Sequence, residues 1–528
     1  MGRSTTNTQH SFSNIPNVSI PRSLFNRSHG VKSTMDFGIL YPILVDELVP
    51  GDTVNLRLHT FARLATPLYP LMDNMYMDTH FFAVPQRLLW YAWNKLNGEQ
   101  VNPGDSTDVS MPTVTAGGSG FGEGTIYDYM GLPTDVAGLT VNSLPLRGYN
   151  AIYNEWFRDQ NQQTRANGTT LDGPDLPSIF ELKKRNKRPD YFSTALPWPQ
   201  KGDAVTLPLG TTAPVIPSGD GIPHFSDGTN TFVFGGDNAA YPSGTTWREG
   251  VQNAAPQFPQ NTDAEWSTTA LDADLSAATA ATINQLRQAF AVQRLFERDA
   301  VGGTRYTEIV KAHFGVDSPD QRLQRPEFIG GGTQSISITP VPQTSSSAST
   351  PQGNLAAYGT SAGSNHSAVY SATEHCILIG LVSFRADLNY QQGVNRMWSR
   401  EVRDDLYFPA FAHLGEQPVY NKEIFADGTS ADDDVFGYQE RFAEMRYKQS
   451  MVTGKFRSNA TGSLDAWHLA QDFPSLPVLN GTFMEEDPPV DRVIATPSEP
   501  HILFDGFFDY KHARPMPTYS TPSGIGRF

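Results

Sequence analysis

The sequence predicts an all-β core of packed sheets that carries long helical and loop insertions. Glycine (45) and proline (39) are frequent, aromatic residues reach 11% and charged residues only 18%, which favours strands joined by ordered loops. Residues 53–64 alternate apolar and polar side chains as a half-buried strand does. Three strand-like segments follow one another between residues 37 and 84, and their apolar faces need a second layer to cover them.

The segment from Phe37 to Val84 gives the clearest strand signal. Phe37 to Val49 is almost continuously apolar, and Pro50-Gly51-Asp52 suits a turn before the alternating run from Thr53 to Leu64. We therefore predict that these two runs form one long antiparallel pair. Met75 to Val84 is rich in aromatic and β-branched residues, and it is predicted as the third strand.

Periodicity and composition predict further elements. Helical spacing or composition predicts helices at Gln86–Asn97, Asn142–Asn161 and Ala270–Arg298, and apolar runs predict strands at Tyr191–Leu196, Cys376–Leu388 and His501–His512. Ser143 is the predicted cap of the second helix, and Gly98 is expected to end the first. A stretch rich in glycine, serine and proline, residues 330–364, precedes the apolar strand, which we expect to be buried on both faces.

Length and composition exclude several classes of protein. A chain of 528 residues can bury a large core. No run of eighteen apolar residues occurs, so we expect no membrane insertion, and the polar first fourteen residues do not resemble a secretory signal. The single cysteine, Cys376, lies in an apolar run, which indicates a buried thiol in a reducing compartment rather than a nucleophile.

Charge is distributed unevenly along the chain. The formal net charge of −16 indicates an acidic exterior that cannot by itself neutralise a nucleic acid. No acidic residue precedes Asp36, whereas four cations do: Arg3, Arg22, Arg27 and Lys32. We interpret residues 1–36 as a basic arm that faces nucleic acid. The alternative is a disordered terminus with incidental charges.

A second group of cations lies within six residues. Its members are Lys183, Lys184, Arg185, Lys187 and Arg188. The group could contact nucleic acid or an acidic neighbour, or it could be a solvated basic patch.

Residues 200–268 differ in character from the rest of the chain. Glycine, proline, threonine and asparagine dominate this stretch, which carries isolated aromatic residues that include Phe225, Phe232, Phe234, Tyr241 and Trp247. A loop of this length within a compact domain is usually functional or forms a projection of its own. We predict an inserted surface projection that contacts an outside partner.

The sequence lacks the common catalytic and cofactor-binding motifs. It contains no G-x-x-x-x-G-K-S/T, no H-E-x-x-H and no C-x-x-C, and its G-x-S-x-G match, residues 359–363, lies in the stretch rich in glycine and serine without a strand-to-helix elbow, so we predict neither an enzyme nor a cofactor. Asp432-Asp433-Asp434 could bind a divalent cation such as calcium, although adjacent carboxylates in such a loop are usually only solvated.

Several long strings resemble one known family. They are SNIPNVSIPRSLFNRS (13–28), GILYPILVDELVPGDT (38–53), LRQAFAVQRLFERDAVGGTRYTEIVKAHFGV (286–316), RPEFIGGG (325–332) and RYKQSMVTGKFRS (446–458). They resemble the major capsid proteins of the microviruses, small bacteriophages with single-stranded DNA, and specifically those of the gokushovirus branch. The resemblance covers most of the chain outside residues 201–266.

The resemblance implies both a fold and a function. The fold is an eight-stranded antiparallel jelly roll, a β-sandwich, and sixty copies build a T=1 icosahedral shell around circular single-stranded DNA. The implied partners are a small basic DNA-binding protein, an internal scaffolding protein, a pilot protein and a host surface receptor, which the variable insertion would meet. The implied location is the virion, assembled in the cytoplasm of the bacterial host.

These inferences give one predicted organisation and one alternative function. The organisation is a basic arm (1–36), a first jelly-roll part (37–199), the projection (200–268), a second jelly-roll part (269–512) and an extended tail (513–528). The alternative is a carbohydrate-binding or carbohydrate-cleaving β-sandwich, in which aromatic loops grip sugar and a carboxylate pair serves as acid and base. The sequence identifies no such pair.

Overall fold

The computed structural model describes residues 21–205, 283–317 and 322–519, together with five short strands between residues 215 and 273. Its contacts divide the chain into two compact units. One consists of residues 1–199 and 302–528, and the other of residues 200–301. The predicted projection ended at residue 268, whereas the second unit extends to residue 301.

The strands are numbered in chain order. They are β1 (Ser23–Asn26), β2 (His29–Met35), β3 (Tyr41–Leu48), β4 (Thr53–Leu64), β5 (Met75–Pro85), β6 (Thr113–Thr115), β7 (Thr140–Asn142), β8 (Val215–Pro217), β9 (His224–Ser226), β10 (Thr231–Val233), β11 (Glu265–Trp266), β12 (Leu271–Ala273), β13 (Glu327–Pro342), β14 (Leu355–Ser371), β15 (Cys376–Ala386), β16 (Glu416–Tyr420), β17 (Val435–Glu440) and β18 (Ile502–Arg514).

One curled antiparallel sheet dominates the larger unit. Its strand order is β1-β18-β4-β14-β13-β5-β15-β3, and β2 also pairs with β18. Because β1 and β2 pair with successive lengths of β18, the sheet has eight positions. This arrangement, with its helical and loop insertions, confirms the predicted all-β jelly-roll class. Smaller pairs are β6 with β7, β16 with β17 and β8 with β12, and β9 lies between β10 and β11.

The predicted pairing of the first two long runs is wrong. β3 pairs with β15 at one end of the strand order, whereas β4 lies between β18 and β14. The turn between them contacts the end of β14 instead, because the N–H of Gly51 donates to the carbonyl of Ala372 at 2.8 Å. Within the turn, the Asp52 carboxylate accepts the N–H of Val49 at 2.9 Å. Alternation identifies the buried face of a strand, but it does not select the partner.

The sheet surrounds a large apolar core. Alternate residues of β4, including Val54, Leu56 and Leu58, pack there with residues of β3, β5 and β18. All eleven residues of β15 are buried, as predicted, because one face contributes to this core and the other packs under a helix. The strands predicted at Met75–Val84 and His501–His512 correspond to β5 and β18, and they are confirmed.

The helices are mostly short. They are α1 (Trp93–Leu96), α2 (Ile126–Tyr129), α3 (Leu144–Ile152), α4 (Ile283–Val301), α5 (Tyr306–Phe314), α6 (Asn421–Ile424) and α7 (Gly481–Met484). A single π-helical turn, Tyr153–Phe157, extends α3. The apolar stripe of α3, with Leu146, Tyr149 and Ile152, covers the outer face of β15.

Three local predictions needed correction. Ser143 does not cap α3 with its hydroxyl, since the Asn142 side chain accepts the N–H of Leu144 at 2.9 Å instead. Residues 191–196 form turns rather than a strand, because the Asp190 carboxylate accepts the N–H groups of Phe192 and Ser193. Of the helix predicted at Ala270–Arg298, the described residues show α4 from Ile283 onward, and β12 lies where its first turn was expected.

The stretch rich in glycine and serine, residues 330–364, contributes to two of the longest strands, β13 and β14. Its glycines allow close approach of backbones. A Cβ on Gly331 would lie 2.1 Å from the carbonyl oxygen of Thr79 on β5. The small side chains of β13 and β14 therefore indicate closely packed strands rather than a loop.

Candidate functional site

A buried charge network joins β5, β13 and β15 to the second group of cations. Asp78 on β5 accepts hydrogen bonds from Arg185 at 2.8 Å, from Arg385 at 2.7 Å and from the Thr333 hydroxyl at 2.7 Å. Burial raises the pKa of Asp78, but Arg185, Thr333 and Arg385 outweigh that effect and lower it to about 2. Asp78 is therefore an anion that holds two buried guanidinium groups in the core.

Glu486 lies on the other side of this network. Its Oε1 accepts the N–H of Ala386 at 3.1 Å, and its Oε2 lies 3.8 Å from Nε of Arg185. Burial raises the pKa of Glu486 to about 7, and Arg185 only partly opposes that shift. The network thus contains one permanent anion and one carboxyl group that titrates near neutrality.

The structure separates the second group of cations into buried and exposed members. Arg185 is buried in the network, and Lys187 is buried with its ammonium 3.9 Å from the centroid of the Phe483 ring. Burial lowers the pKa of Lys187 to about 8. Lys183 pairs with Glu181, and Lys184 lies 3.0 Å from Asp487. Arg188 is exposed, so the five cations do not form one continuous basic patch.

The described cations of the predicted arm lie along the edge of the sheet. Arg27, which follows β1, pairs with Asp46 on β3, with one N–O distance of 2.9 Å. Lys32 on β2 lies 2.9 Å from Asp505 on β18, and Arg22 donates to the Thr53 hydroxyl at 3.3 Å. Arg3 lies outside the described residues. Within the predicted arm, residues 23–26 and 29–35 are thus strands of the sheet.

The solvent-facing side of β4 is formed by the residues that alternate with its buried apolar ones. Arg57, His59, Phe61 and Arg63 are all exposed there. On one side of β4 lie β14 and then β13, and apart from Glu327 at the start of β13 both strands fall within residues 328–373, which contain no aspartate, glutamate, lysine or arginine. The lack of charged residues in this range is visible in the sequence, because 18% of the whole chain is charged.

The five aromatic residues assigned to the projection fall in the smaller unit or outside the description. Phe225 on β9 and Phe232 on β10 are paired in register. Phe234, Tyr241 and Trp247 lie outside the described residues.

The structure also locates the remaining candidate residues. Asp432 accepts the backbone N–H groups of Asp427 and Gly428, and Asp433 lies 2.7 Å from Lys422. Within the described ranges, no group of three or more His, Cys, Asp or Glu side chains is arranged to hold a metal ion. The thiol of Cys376 is buried, which raises its pKa to about 12, as an unreactive core cysteine requires. A search of the described helices finds none that is both long and apolar enough to cross a bilayer.

Comparison with known proteins decides the family. Residues 13–524 match the family described as capsid protein (F protein). This chain belongs to that capsid protein family. It is 49% identical to Capsid protein VP1 of Bdellovibrio phage phiMH2K over 98% of both chains. It is also 41% identical to Capsid protein VP1 of Chlamydia phage 1 and 37% identical to that of Spiroplasma virus 4, in each case over 97% of both chains.

Membership in the capsid protein family confirms the resemblance to microvirus capsid proteins that the sequence strings carried. This capsid protein therefore has a structural role in the virion and is not an enzyme, and its copies assemble with one another into a shell. The carbohydrate-active alternative is set aside on the same grounds. The surfaces that matter for assembly are those that contact other copies.

Proposed function

We propose that sixty copies of this capsid protein form a T=1 icosahedral shell that encloses a circular single-stranded DNA genome. Membership of the capsid protein family along residues 13–524 carries the proposal. The curled sheet supports it, because a curled sheet with a large core gives a rigid unit suited to repeated contacts. In a closed symmetric assembly, every copy presents the same surfaces to its neighbours.

Large apolar side chains exposed along residues 397–414 are suited to such contacts. Trp398 is 75% exposed, and its exposed neighbours in the chain are Met397, Val402, Leu406, Tyr407 and Leu414. Apolar surface of this kind on one subunit usually marks an interaction site. We propose that neighbouring copies cover it in the shell, as permanent interfaces do.

Genome contact is proposed for the exposed members of both cation groups. In the arm these are Arg22, Arg27 and Lys32, together with Arg3, which lies outside the described residues, and in the second group they are the partly exposed Lys183 and Lys184 and the exposed Arg188. Arg185 and Lys187 would support that surface from the core. Because the chain carries a net charge of −16, we also propose that a small basic DNA-binding protein supplies most of the neutralising charge. An internal scaffolding protein and a pilot protein complete the proposed set of partners.

Host recognition is proposed for residues 200–268. The separation of residues 200–301 as a compact unit supports a projection that can vary without disturbing the sheet. Replacing residues 206–264 by a short Gly-Ser linker should leave particles intact and abolish adsorption to the host. Normal adsorption by such particles would refute this assignment.

The experiment for enclosure is nuclease protection. The full chain is produced together with its viral helper proteins and genome, and particles are purified and treated with nuclease. We expect a full-length circular single strand to survive inside intact particles and to be degraded after the particles are disrupted by heat. Particles that protect no DNA, or protein that forms no particles, would refute the proposal.

A further inference from the structure

We propose that the solvent-facing side of β18, β4, β14 and β13 is a binding surface for single-stranded DNA. This inference rests on the proposed enclosure of a genome and goes beyond it, because it assigns the contact to a sheet face rather than to the arm or to residues 183–188. We call this surface the outer sheet face. It is defined by the exposed residues of the four strands.

Free positive charge is the first feature of the outer sheet face. Arg57 and Arg63 on β4 and Lys511 on β18 are exposed, and none of them forms an ion pair with another described residue. In the strand register, Arg63 lies opposite Leu503 and Thr360, and Lys511 lies opposite Asn55. These three cations therefore remain available for phosphate groups.

Few acidic groups lie on the strands that carry these cations, although Arg63 also lines a cavity together with Glu123, Asp128 and Asp505. Asp509 lies opposite Arg57 in the register but forms no ion pair with it, and the Ser28 hydroxyl donates to its carboxylate at 3.5 Å. Asp505 is engaged by Lys32 at 2.9 Å. β4 has no acidic residue, and residues 328–373, which hold nearly all of β13 and β14, have none either. A chain with 55 acidic residues thus leaves three adjacent strands almost free of negative charge, as contact with a polyanion requires.

Aromatic rings accompany the cations. Phe61 and Phe507 are each about half exposed, and neither contacts another aromatic ring within the described residues. Phe61 lies between Ala362 of β14 and Asp505 of β18, and Phe507 lies between Gly30 of β2 and His59 of β4, so each ring has a small neighbour on one side. Aromatic rings of this kind stack on the unpaired bases of a single strand, which a double helix keeps stacked inside.

Exposed hydroxyl groups extend the outer sheet face beyond the cations. Ser337 and Thr339 of β13 and Ser367 of β14 point to the same side, with Ser367 opposite Arg57. Hydroxyl groups donate hydrogen bonds to phosphate oxygens without adding charge. Cations, exposed rings and hydroxyls on strands with few acidic residues favour a single nucleic acid strand, which offers phosphates to the cations and unpaired bases to the rings, over a second copy of this protein, which offers neither.

The test measures binding of full-length protein to a labelled oligo-dT of about 20 nucleotides by fluorescence anisotropy, at salt concentrations from about 50 to 300 mM. The variant R57Q/R63Q/K511Q should lose at least about ten-fold in affinity at low salt. Its slope of log affinity against log salt should be about 2 smaller than that of the native protein. The control R165Q/K448Q/K455Q removes three exposed cations outside the outer sheet face and should leave the slope unchanged.

Two further variants complete the design. F61A/F507A should weaken binding several-fold at an unchanged salt slope, because it removes stacking but no charge. R57K/R63K/K511R keeps the charge and should bind like the native protein, which checks that substitution at these positions leaves the fold intact.

A native salt slope for R57Q/R63Q/K511Q would overturn the proposal. So would a variant that binds DNA normally but no longer self-associates in sedimentation, since that result would make this face a contact between copies. Nuclease protection in particles distinguishes failure of the outer sheet face from failure of the proposed enclosure of DNA. Normal protection together with a native slope refutes only the outer sheet face, whereas loss of all protection in the native protein refutes enclosure itself.

Discussion

Arg27, the residue that follows β1, and Asp46 on β3 form a two-pronged ion pair that spans the first and last strands in the order of the curled sheet. The Tyr510 hydroxyl of β18 donates to the same carboxylate at 2.7 Å. The pair therefore links the two ends of the strand order by side chains, although no backbone ladder joins them within the described residues. Closure of the sheet depends in part on this contact.

Replacing Arg27 by glutamine should lower the free energy of unfolding by about 1–2 kcal/mol, because both guanidinium contacts to a mostly buried carboxylate are lost. Urea unfolding followed by tryptophan fluorescence measures the change. The matched control is Lys32→Gln, which breaks a mostly exposed ion pair with Asp505. It should change stability by less than about 0.5 kcal/mol. Equal effects of the two substitutions would contradict a role in closing the sheet.

Replacing Asp78 by asparagine should destabilise the protein by about 3–5 kcal/mol, because two buried arginines lose their shared anion. The same unfolding measurement tests this. Asp505→Asn makes the identical chemical change at an exposed position and should have little effect. A loss below about 1 kcal/mol for Asp78→Asn would show that the arginines find other partners.

Glu486 should make stability depend on pH. Its folded pKa, about 7, lies above its ordinary value of 4.5, so the folded protein binds one extra proton between these two values. The free energy of unfolding should therefore fall as pH rises through this window, by about 3 kcal/mol in total, and then level off.

The variant Glu486→Gln isolates this contribution. His80, whose pKa burial and Arg185 lower to about 4, acts in the opposite direction below pH 6.5, but it does so in both proteins. The stability difference between native protein and Glu486→Gln, measured by urea unfolding from pH 4.5 to 8, should therefore shift steadily in favour of the variant. A difference independent of pH would refute the assignment.

Gly331→Ala should disrupt the pairing of β13 with β5. The added Cβ would lie 2.1 Å from the Thr79 carbonyl oxygen, so one of the strands must move. We expect a loss of about 2–4 kcal/mol or failure to fold. Gly118→Ala adds the same group where nothing lies within 4 Å and should be nearly neutral. Native-like stability of Gly331→Ala would contradict the strand packing described here.

The sequence predicted the strand content well where alternation or long apolar runs carried the signal. β4, β5, β15 and β18 were predicted close to their observed bounds. Pairing was not predictable from local pattern, since the turn at Gly51 leads to a different part of the sheet rather than back along β3. β13 and β14 were not predicted, because their many glycines and serines are also typical of loops. In these strands the glycines allow neighbouring backbones to approach closely.

Charged residues were harder to assign than strands. A run of cations such as residues 183–188 shows composition but not burial, and Arg185 lies in the core because Asp78, more than a hundred positions away in the chain, neutralises it. The outer sheet face has the opposite character. Its cations are far apart in sequence, and only strand pairing brings Arg57 near Lys511. The absence of acidic residues along neighbouring strands is a signal that composition alone can reveal.

The most direct test of the central claim is the symmetry and mass of the particle that the full chain forms with its viral helper proteins. Cryo-electron microscopy and native mass measurement should show a closed icosahedral shell of sixty subunits of 58.1 kDa, roughly 3.5 MDa of capsid protein. The curled sheet should be recognisable in every subunit. Protein that remains as single subunits or open aggregates at high concentration with all helpers present would contradict the account.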